Sequence, residues 1–199
     1  MTVGILALQG DFEAHRKMLS ERLNVAATLV RTQAELAGVD ALVLPGGEST
    51  TIIKLLNRIG LDDAIKARAE AGMPIYGTCA GMILLARRIE ERPDQPSLGL
   101  MDITVARNAF GRQLDSFEAD LELSLAEGQA PSTVHGVFIR APYITETGPT
   151  VRILGRFHDR VVGVQQGNLL ATAFHPELTS DPRVHAHFVR MVEQSAEQR

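Results

Sequence analysis

The sequence predicts a single α/β domain whose sheet has a parallel core and an antiparallel extension. In the first half, short apolar runs alternate with stretches of helical spacing, and glycine-rich turns follow several of the runs. From about residue 102 onward, short strand-like segments follow one another with only turn residues between them. Alternating strands and helices require right-handed crossovers and hence a parallel sheet, whereas consecutive short strands pair in antiparallel fashion. A length of 199 residues suits one domain over 1–199.

The first half of the chain predicts four strands with helical segments between them. Continuous apolar runs are typical of strands covered on both faces, and they lie at 3–8, 25–30, 41–44 and 75–77. Helical spacing, or a short helical turn, is found at 12–23, 34–36, 52–59 and 62–71. Asp11 is placed to cap the first helix, and Gly72 followed by Pro74 ends the fourth.

The second half predicts six short strands and a closing helix. The strands lie at 102–106, 117–123, 134–139, 151–157, 161–166 and 169–174, and the helix at 182–194. The segment QGN at 166–168 predicts a tight hairpin turn with glycine at positive φ. Because PDQP at 93–96 cannot continue a helix, we expect the helix that follows residue 79 to end before Glu91.

Composition argues against several classes of function. A content of 45% apolar and 22% charged residues is ordinary for a globular protein, and a net charge of −4 offers no basic surface to nucleic acid. No apolar run reaches the about 18 residues that span a bilayer, and the N-terminus lacks the plan of a signal peptide. One cysteine cannot form an internal disulfide. We therefore expect a cytoplasmic protein without a membrane or nucleic-acid partner.

The single cysteine lies in GTCAG, at 77–81, between an apolar run and the start of a helix. A nucleophile in a strained strand-to-helix turn needs small residues two before and two after it, because glycine has no Cβ to clash. At the first turn of a helix, backbone N–H groups favour the Cys79 thiolate, and the N–H of Ala80 could stabilise an oxyanion. The alternative is that Cys79 is a small buried apolar residue without a reaction.

The segment FHPEL, at 174–178, supplies a candidate base for this cysteine. With Pro176 holding the backbone extended, His175 and Glu177 can point the same way, so that the carboxylate holds one imidazole nitrogen while the other faces a thiol. A plain loop with a capping acid is the alternative. The remaining histidines have no spacing that predicts a zinc site, so we assign no metal and interpret them as structural: His15, His135, His158, His185 and His187.

The third predicted strand ends in PGGESTT, at 45–51, just before a helix. Glycines at the carboxyl end of a parallel strand present backbone N–H groups to a ligand in the crevice. A phosphate loop fits poorly, since the Lys-Ser/Thr ending is absent and Glu48 would repel phosphate, so a carbonyl or amino-acid ligand suits the loop better. The alternative is a plain turn with Ser49 or Thr50 as the helix cap.

With PGGEST, GTCAG and FHPEL in this order, the chain resembles the class I, or triad, glutamine amidotransferases. Further segments make it resemble, more narrowly, the PdxT/SNO family of glutaminase subunits of pyridoxal 5'-phosphate synthase. These segments are LQG at 8–10, ARNAFGRQ at 106–113, FIRAP at 138–142 and QGNLLATAFHPELT at 166–179. The resemblance covers nearly the whole chain and implies a three-layer, flavodoxin-like fold.

The resemblance also implies roles for individual residues. Cys79 matches the nucleophile, His175 the base and Glu177 its orienting partner. The positions that hold L-glutamine in the family match Gly47, Glu48, Ser49, Arg107, Ile139 and Arg140, and the oxyanion hole matches the N–H groups of Gly47 and Ala80. An arginine suits the substrate α-carboxylate because its planar fork binds carboxylates bidentately. The sequence leaves open which of the two arginines does so, and either could serve a partner interface instead.

The activity implied by the resemblance is hydrolysis of L-glutamine to glutamate and ammonia, with no cofactor. Cys79 attacks the side-chain amide, His175 protonates the leaving ammonia, and water releases glutamate. The implied partner is the barrel-shaped synthase subunit, which takes the ammonia in a large complex of equal numbers of both subunits, with the glutaminase weak until docking. The segment 8–10 is implied to couple the site to the synthase. Two alternatives stay open: another amidotransferase or cysteine peptidase-like relative on this fold, and a non-catalytic glutamine-binding scaffold subunit.

Overall fold

The computed structural model of the chain describes residues 1–107, 116–126 and 128–197. The strands within these ranges are β1 Thr2–Leu6, β2 Ala26–Val30, β3 Ala41–Leu44, β4 Ile75–Thr78, β5 Ala86–Ile89, β6 Met101–Ala106, β7 Ser116–Leu123, β8 Ser132–Ile139, β9 Tyr143–Thr147, β10 Arg152–Phe157, β11 Arg160–Gln166 and β12 Leu169–Thr172. The helices are α1 Phe12–Lys17, α2 Gln33–Ala37, α3 Ser49–Ile59, α4 Leu61–Glu70, α5 Ala80–Leu85 and α6 Arg183–Glu197. A π-helical turn, Met18–Arg22, continues α1, and a 3₁₀ turn, Pro176–Leu178, follows β12.

Ten of the strands form one mixed sheet in the order β2-β1-β3-β4-β12-β11-β9-β6-β5, with β10 added beside β11. Strands β2, β1, β3, β4 and β12 are parallel neighbours. Strand β12 joins the two halves of the sheet, since it is parallel to β4 on one side and antiparallel to β11 on the other. The strand that leads to His175 therefore lies beside the strand that leads to Cys79, and both reach the same edge of the sheet.

The strands β7 and β8 form a separate antiparallel hairpin, with Phe117 opposite Phe138. The ring of Phe138 stacks on that of Phe117 with centroids 4.5 Å apart and lies 5.7 Å from the ring of Phe174, which follows β12. A backbone hydrogen bond of 2.8 Å from the N–H of His175 to the carbonyl of Val137 ties β8 to the same edge. The hairpin thus contributes a wall beside the end of β12.

The core is built from the parallel strands and the apolar faces of the helices. Strand β3 is buried along its whole length, and α3 buries Ile52, Ile53 and Leu56 on one face. Helix α3 ends at Gly60, whose φ of 66° is the left-handed conformation that glycine adopts at helix ends without strain. Among the described residues, the helices are too short or too polar to traverse a lipid bilayer.

The parallel core and the antiparallel extension predicted from the sequence are both confirmed. The predicted turn at 166–168 is also found, with Gly167 at a φ of 53°. Two strands were missed. Strand β5 directly follows α5 and pairs with β6 in parallel, so the helix after Cys79 is only six residues long. Strand β9 follows a proline and has an exposed end, and it therefore lacks the alternation that would have predicted it.

The helix ends show how local chemistry sets the boundaries. Asp11 caps α1 as predicted, with Oδ1 accepting from the N–H of Ala14 at 3.1 Å. Helix α3 begins at Ser49, three residues earlier than the apolar spacing indicates, because the Glu48 side chain caps it by accepting from the N–H of Thr50 at 3.4 Å. The alternative of Ser49 or Thr50 as the cap is therefore wrong, and both residues lie inside the helix.

Candidate active site

Cys79 lies at the junction of β4 and α5, in the sharp strand-to-helix bend that the sequence predicted. Its φ of 49° and ψ of −103° place a residue with a side chain in the left-handed region, a conformation that costs of order 1–3 kcal/mol. A 2.8 Å hydrogen bond from its N–H to the carbonyl of Thr172 holds the bend against β12. The side chain is 7% exposed. The backbone is thus held in a strained form that aims the sulfur towards the edge of the sheet.

The glycines on either side of Cys79 are needed for close approach of the backbone. A Cβ on Gly77 would lie 2.6 Å from the backbone of Gly81. A Cβ on Gly81 would overlap the carbonyl oxygen of Leu44, the last residue of β3. Real side chains essentially never come this close, so both positions require glycine for the turn to close. The steric requirement for small residues at 77 and 81, predicted from the sequence, is therefore confirmed.

The His175 imidazole and the Glu177 carboxylate meet beside this bend. Nδ1 of His175 lies 2.7 Å from Oε1 of Glu177, and the two residues are only 8% and 6% exposed. The expectation that Pro176 holds an extended backbone here is wrong, since Pro176–Leu178 is a 3₁₀ turn. The His175 backbone, with φ −108° and ψ 83°, turns into that 3₁₀ segment and brings the two side chains together by folding back.

The charges of His175 and Glu177 depend on each other. Burial alone would lower the pKa of His175, but hydrogen bonds with Cys79 and Glu177 and the attraction of both groups raise it to about 10. Burial alone would raise the pKa of the Glu177 carboxyl, but the attraction and hydrogen bonding of His15 and His175 hold it far below its ordinary range. The arrangement therefore favours an imidazolium at His175 beside the Glu177 carboxylate, which is the state that can give a proton to a leaving group.

The glycine loop after β3 lies against the same imidazole. A Cβ on Gly46 would strike the His175 ring, so the loop and the ring are in direct contact. Gly47 has a φ of 153°, and a Cβ there would lie 2.5 Å from Oε1 of Gln9. That Gln9 oxygen also accepts from the N–H of Glu48 at 2.8 Å. The segment 8–10 thus holds the loop in place from the end of β1.

A network of hydrogen-bonded polar side chains extends from the glycine loop. Nη2 of Arg107 donates to Oε1 of Glu48 at 3.1 Å, and Nη1 donates to Oε1 of Gln95 at 2.7 Å. Nε2 of Gln95 in turn donates to Oγ of Ser49 at 3.2 Å. Burial would raise the pKa of the Glu48 carboxyl, but hydrogen bonds from Thr50 and the charges of the two arginines lower it. Gln95 was not singled out from the sequence, because a glutamine between prolines gives no signal of its own.

Ile139 and Arg140 stand on the other side of Cys79, at the end of β8. The carbonyl oxygen of Ile139 lies 3.8 Å from Sγ of Cys79. Arg140 has a φ of 44°, which is unusual for a residue with a side chain. The structure thus brings every sequence-predicted site residue to one edge of the sheet. Residues 108–113 of the motif that begins at Ala106 lie outside the described residues.

A cavity of about 530 Å³ adjoins Gln95, the partner of Arg107. It is lined by Thr50, Ile53, Lys54 and residues 91–96, so Gln95 faces both the cavity and Arg107. Ligand pockets of small molecules are commonly of this size. The cavity is large enough for an amino acid, but its lining residues do not include Cys79, His175 or Glu177, so it lies beside the triad and not at it.

Two histidines that the sequence interpretation set aside as structural lie directly behind the carboxylate. His15, on α1, is fully buried, with Nε2 3.4 Å from Oε1 of Glu177. His185, on α6, is also fully buried, and its Nε2 lies 2.9 Å from Nδ1 of His15. The signal that could have revealed His15 is its place on the apolar face of an amphipathic helix, where a polar ring needs partners.

The chain is similar in sequence and in fold to known proteins. The sequence signature of the SNO glutamine amidotransferase family matches residues 5–194. The pyridoxal 5'-phosphate synthase subunit PdxT of Acidothermus cellulolyticus is 55% identical over 196 residues, covering 96% of this chain and 93% of that protein. The PdxT subunit of Herpetosiphon aurantiacus is 56% identical over 192 residues, covering 95% and 99%. A crystal structure of a glutamine amidotransferase superposes with a TM-score of 0.89 at 49% identity, covering 96% and 98% of the two chains, which confirms the predicted fold.

Proposed function

The chain belongs to the SNO glutamine amidotransferase family, and from that membership we propose that it is the glutaminase subunit of a pyridoxal 5'-phosphate synthase. It hydrolyses L-glutamine to L-glutamate and ammonia and passes the ammonia to the synthase subunit. The observation that carries the proposal is the meeting of Cys79, His175 and Glu177 at one sheet edge, with Nδ1 of His175 2.7 Å from the carboxylate.

The proposed reaction is an acyl transfer on Cys79. The thiolate attacks the side-chain amide carbon of glutamine, and the oxyanion that forms accepts from the N–H groups of Gly47 and Ala80. Ala80 is the first residue of α5, so its N–H has no acceptor within that helix. The His175 imidazolium protonates the departing nitrogen, and ammonia leaves. A water molecule, deprotonated by the same ring, then releases glutamate from the thioester.

The polar cluster beside the triad fits the charged end of an amino acid. Glu48 supplies an anion for the substrate ammonium group, and Arg107 a planar cation for its carboxylate. Of the two arginines, Arg107 is the one that we propose for the carboxylate, because its side chain is only 14% exposed and its guanidinium is already held by Glu48 and Gln95. Gly47, Ser49, Ile139 and Arg140 complete the proposed glutamine site.

The proposed partner is the synthase subunit, which uses the ammonia that this chain releases. We propose that residues 1–199 act as one domain in a large complex of equal numbers of both subunits, in the reducing cytoplasm that a single free cysteine suits. Gln9 offers a route by which docking can act on the reaction, since its side chain holds the backbone of Glu48 beside Gly47. A gate of this kind prevents the waste of glutamine by the free subunit.

Glutamate release from L-glutamine, measured with and without the synthase subunit, tests the proposal. We expect release to depend on glutamine and to rise when the synthase subunit is added. Equal rates in both samples would contradict the gated subunit. Release from peptides in preference to glutamine would favour a peptidase-like relative, and glutamine binding without any release would favour a scaffold subunit.

A further inference from the structure

A line of buried side chains leads from the last helix to the triad carboxylate. Nε2 of His185 lies 2.9 Å from Nδ1 of His15. On its other side, Nε2 of His15 lies 3.1 Å from Oγ1 of Thr78 and 3.4 Å from Oε1 of Glu177. The same Glu177 oxygen faces Nδ1 of His175 at 2.7 Å. Helix α1 therefore places His15 beside the Glu177 carboxylate, and helix α6 places His185 behind His15.

The environment of His185 decides where its proton sits. Burial lowers the pKa of His185 to about 3, so the ring is neutral at physiological pH and carries one N–H. Its Nδ1 has no hydrogen-bond partner among the described residues. A proton on Nδ1 would be a buried, unsatisfied donor, at a cost of about 1–3 kcal/mol. The proton therefore sits on Nε2 and is donated to Nδ1 of His15.

This placement fixes the orientation of His15 as well. Because Nδ1 of His15 accepts from His185, the His15 ring proton is on Nε2. That N–H lies 3.1 Å from Oγ1 of Thr78, to which it donates, and 3.4 Å from Oε1 of Glu177, so the carboxylate has the His175 hydrogen bond on one side and the polar His15 N–H on the other. A carboxylate between two N–H groups stays ionised, and it cannot rotate without losing its contact with one of them.

We propose that His15 is a positioning residue of the triad, whose Nε2–H, oriented by His185, holds the Glu177 carboxylate in place for His175. The inference rests on the proposed glutaminase function. His15 acts on the triad from behind the carboxylate, so it governs the acyl-transfer steps rather than the affinity for glutamine. Loss of its N–H lowers kcat and leaves KM unchanged.

The competing explanation is that both rings only fill space. They do pack against Tyr76, with ring centroids 6.3 Å and 5.7 Å away in edge-to-face geometry. A packing role would be met by any side chain of similar size and polarity. The positioning role requires an N–H at the place of Nε2, and this difference can be tested.

The test compares His15→Gln with His15→Asn in the complex with the synthase subunit. The amide nitrogen of glutamine can take the place of Nε2, whereas that of asparagine takes the place of Nδ1 and does not reach Glu177. We expect His15→Asn to lower kcat by about 10- to 100-fold at unchanged KM, the effect of one hydrogen bond to a charged group, and His15→Gln to stay within about 3-fold of the wild type. Equal losses in both variants, tracking their melting temperatures, or a wild-type kcat in His15→Asn, would overturn the inference.

A second readout does not need the glutamine reaction. We expect alkylation of Cys79 by iodoacetamide at neutral pH to be slower in His15→Asn and unchanged in His15→Gln, because the carboxylate supports the imidazolium that stabilises the thiolate. This readout separates the inference from the proposed function, since it holds even if the wild type releases no glutamate. If His15→Asn does not fold, His185→Gln and His185→Asn form a second pair with the same expected order, and equal rates in that pair would overturn the inference.

Discussion

The backbone of Gly81 packs against the carbonyl oxygen of Leu44 so closely that a Cβ on Gly81 would overlap that oxygen. Leu44 ends β3 and leads into the glycine loop, while Gly81 lies in the first turn of α5. This contact therefore links the segment that leads to Gly47 with the turn that holds Ala80, the two residues proposed to form the oxyanion hole. The turn that strains Cys79 and the loop proposed to bind glutamine are therefore in direct contact.

We expect Gly81→Ala to lower the free energy of unfolding by about 1–3 kcal/mol, the usual effect of overpacking a tight contact. Glutamate release should fall more than stability explains, because the added methyl group separates Gly47 from Ala80. Urea unfolding and glutamate release on the same preparation measure both. The matched control is Gly38→Ala, whose Cβ would meet only the Glu35 carbonyl at 3.6 Å. Similar effects of the two substitutions would contradict the role of the Gly81 contact.

The charge of Glu177 is expected to matter more than its shape. Glu177→Gln keeps the size of the side chain but presents a neutral amide to His175, so kcat should fall by about 10²- to 10⁴-fold, as for other triads that lose their carboxylate. Steady-state kinetics of the complex measure the effect. Glu118→Gln is the control, because Glu118 forms an exposed pair with His135 at 2.9 Å away from the site. A Glu177→Gln variant with near wild-type kcat would remove the carboxylate from the mechanism.

The buried His185 is expected to make the fold sensitive to acid. Its pKa is lowered by burial from 6.5 to about 3, so the unfolded chain binds this proton more readily than the folded one. Its contribution to stability is complete above the unfolded pKa and is lost as the pH falls towards 3. Between about pH 7.5 and about pH 5.0 the wild type should lose about 2 kcal/mol more than His185→Gln, which lacks the titrating ring. Parallel stability curves for the two proteins, from urea unfolding across this range, would show that the ring does not titrate as described.

Arg107 is expected to contribute to substrate affinity. Arg107→Ala removes the proposed partner of the substrate carboxylate, so KM for glutamine should rise by about 10- to 100-fold, the effect of a hydrogen bond between charged groups, with little change in kcat. Initial rates over a range of glutamine concentrations separate the two constants. Arg87→Ala is the control, because Arg87 pairs with Asp102 at 2.8 Å on the surface. If Arg140→Ala raises KM and Arg107→Ala does not, the assignment of the carboxylate is reversed.

The sequence predicted the parts of the fold that depend on interactions between residues close together in the chain. The bend at Cys79 could be predicted because small residues at 77 and 81 are required by sterics within a few residues, and the cap at Asp11 because its partner is three residues away. The parallel core followed from continuous apolar runs between helices. The motif residues suggested the candidate triad because each ends or follows such a run.

What the sequence did not predict depends on contacts between distant segments. His15 and His185 are 170 positions apart, and nothing in either helix indicates that their rings meet behind Glu177. The reason given for His175 and Glu177 meeting was also wrong, since the backbone folds into a 3₁₀ turn where proline was expected to keep it extended. Strand β5 is held in place by its partner β6 rather than by its own composition, and so only the tertiary fold reveals it.

Glutamate release by the Cys79→Ala variant in complex with the synthase subunit tests the central claim most directly. The account predicts no glutamate above background, while the variant folds and binds the synthase subunit as the wild type does, because only the sulfur that attacks the amide has been removed. Release at the wild-type rate from a folded, docked Cys79→Ala variant would contradict it.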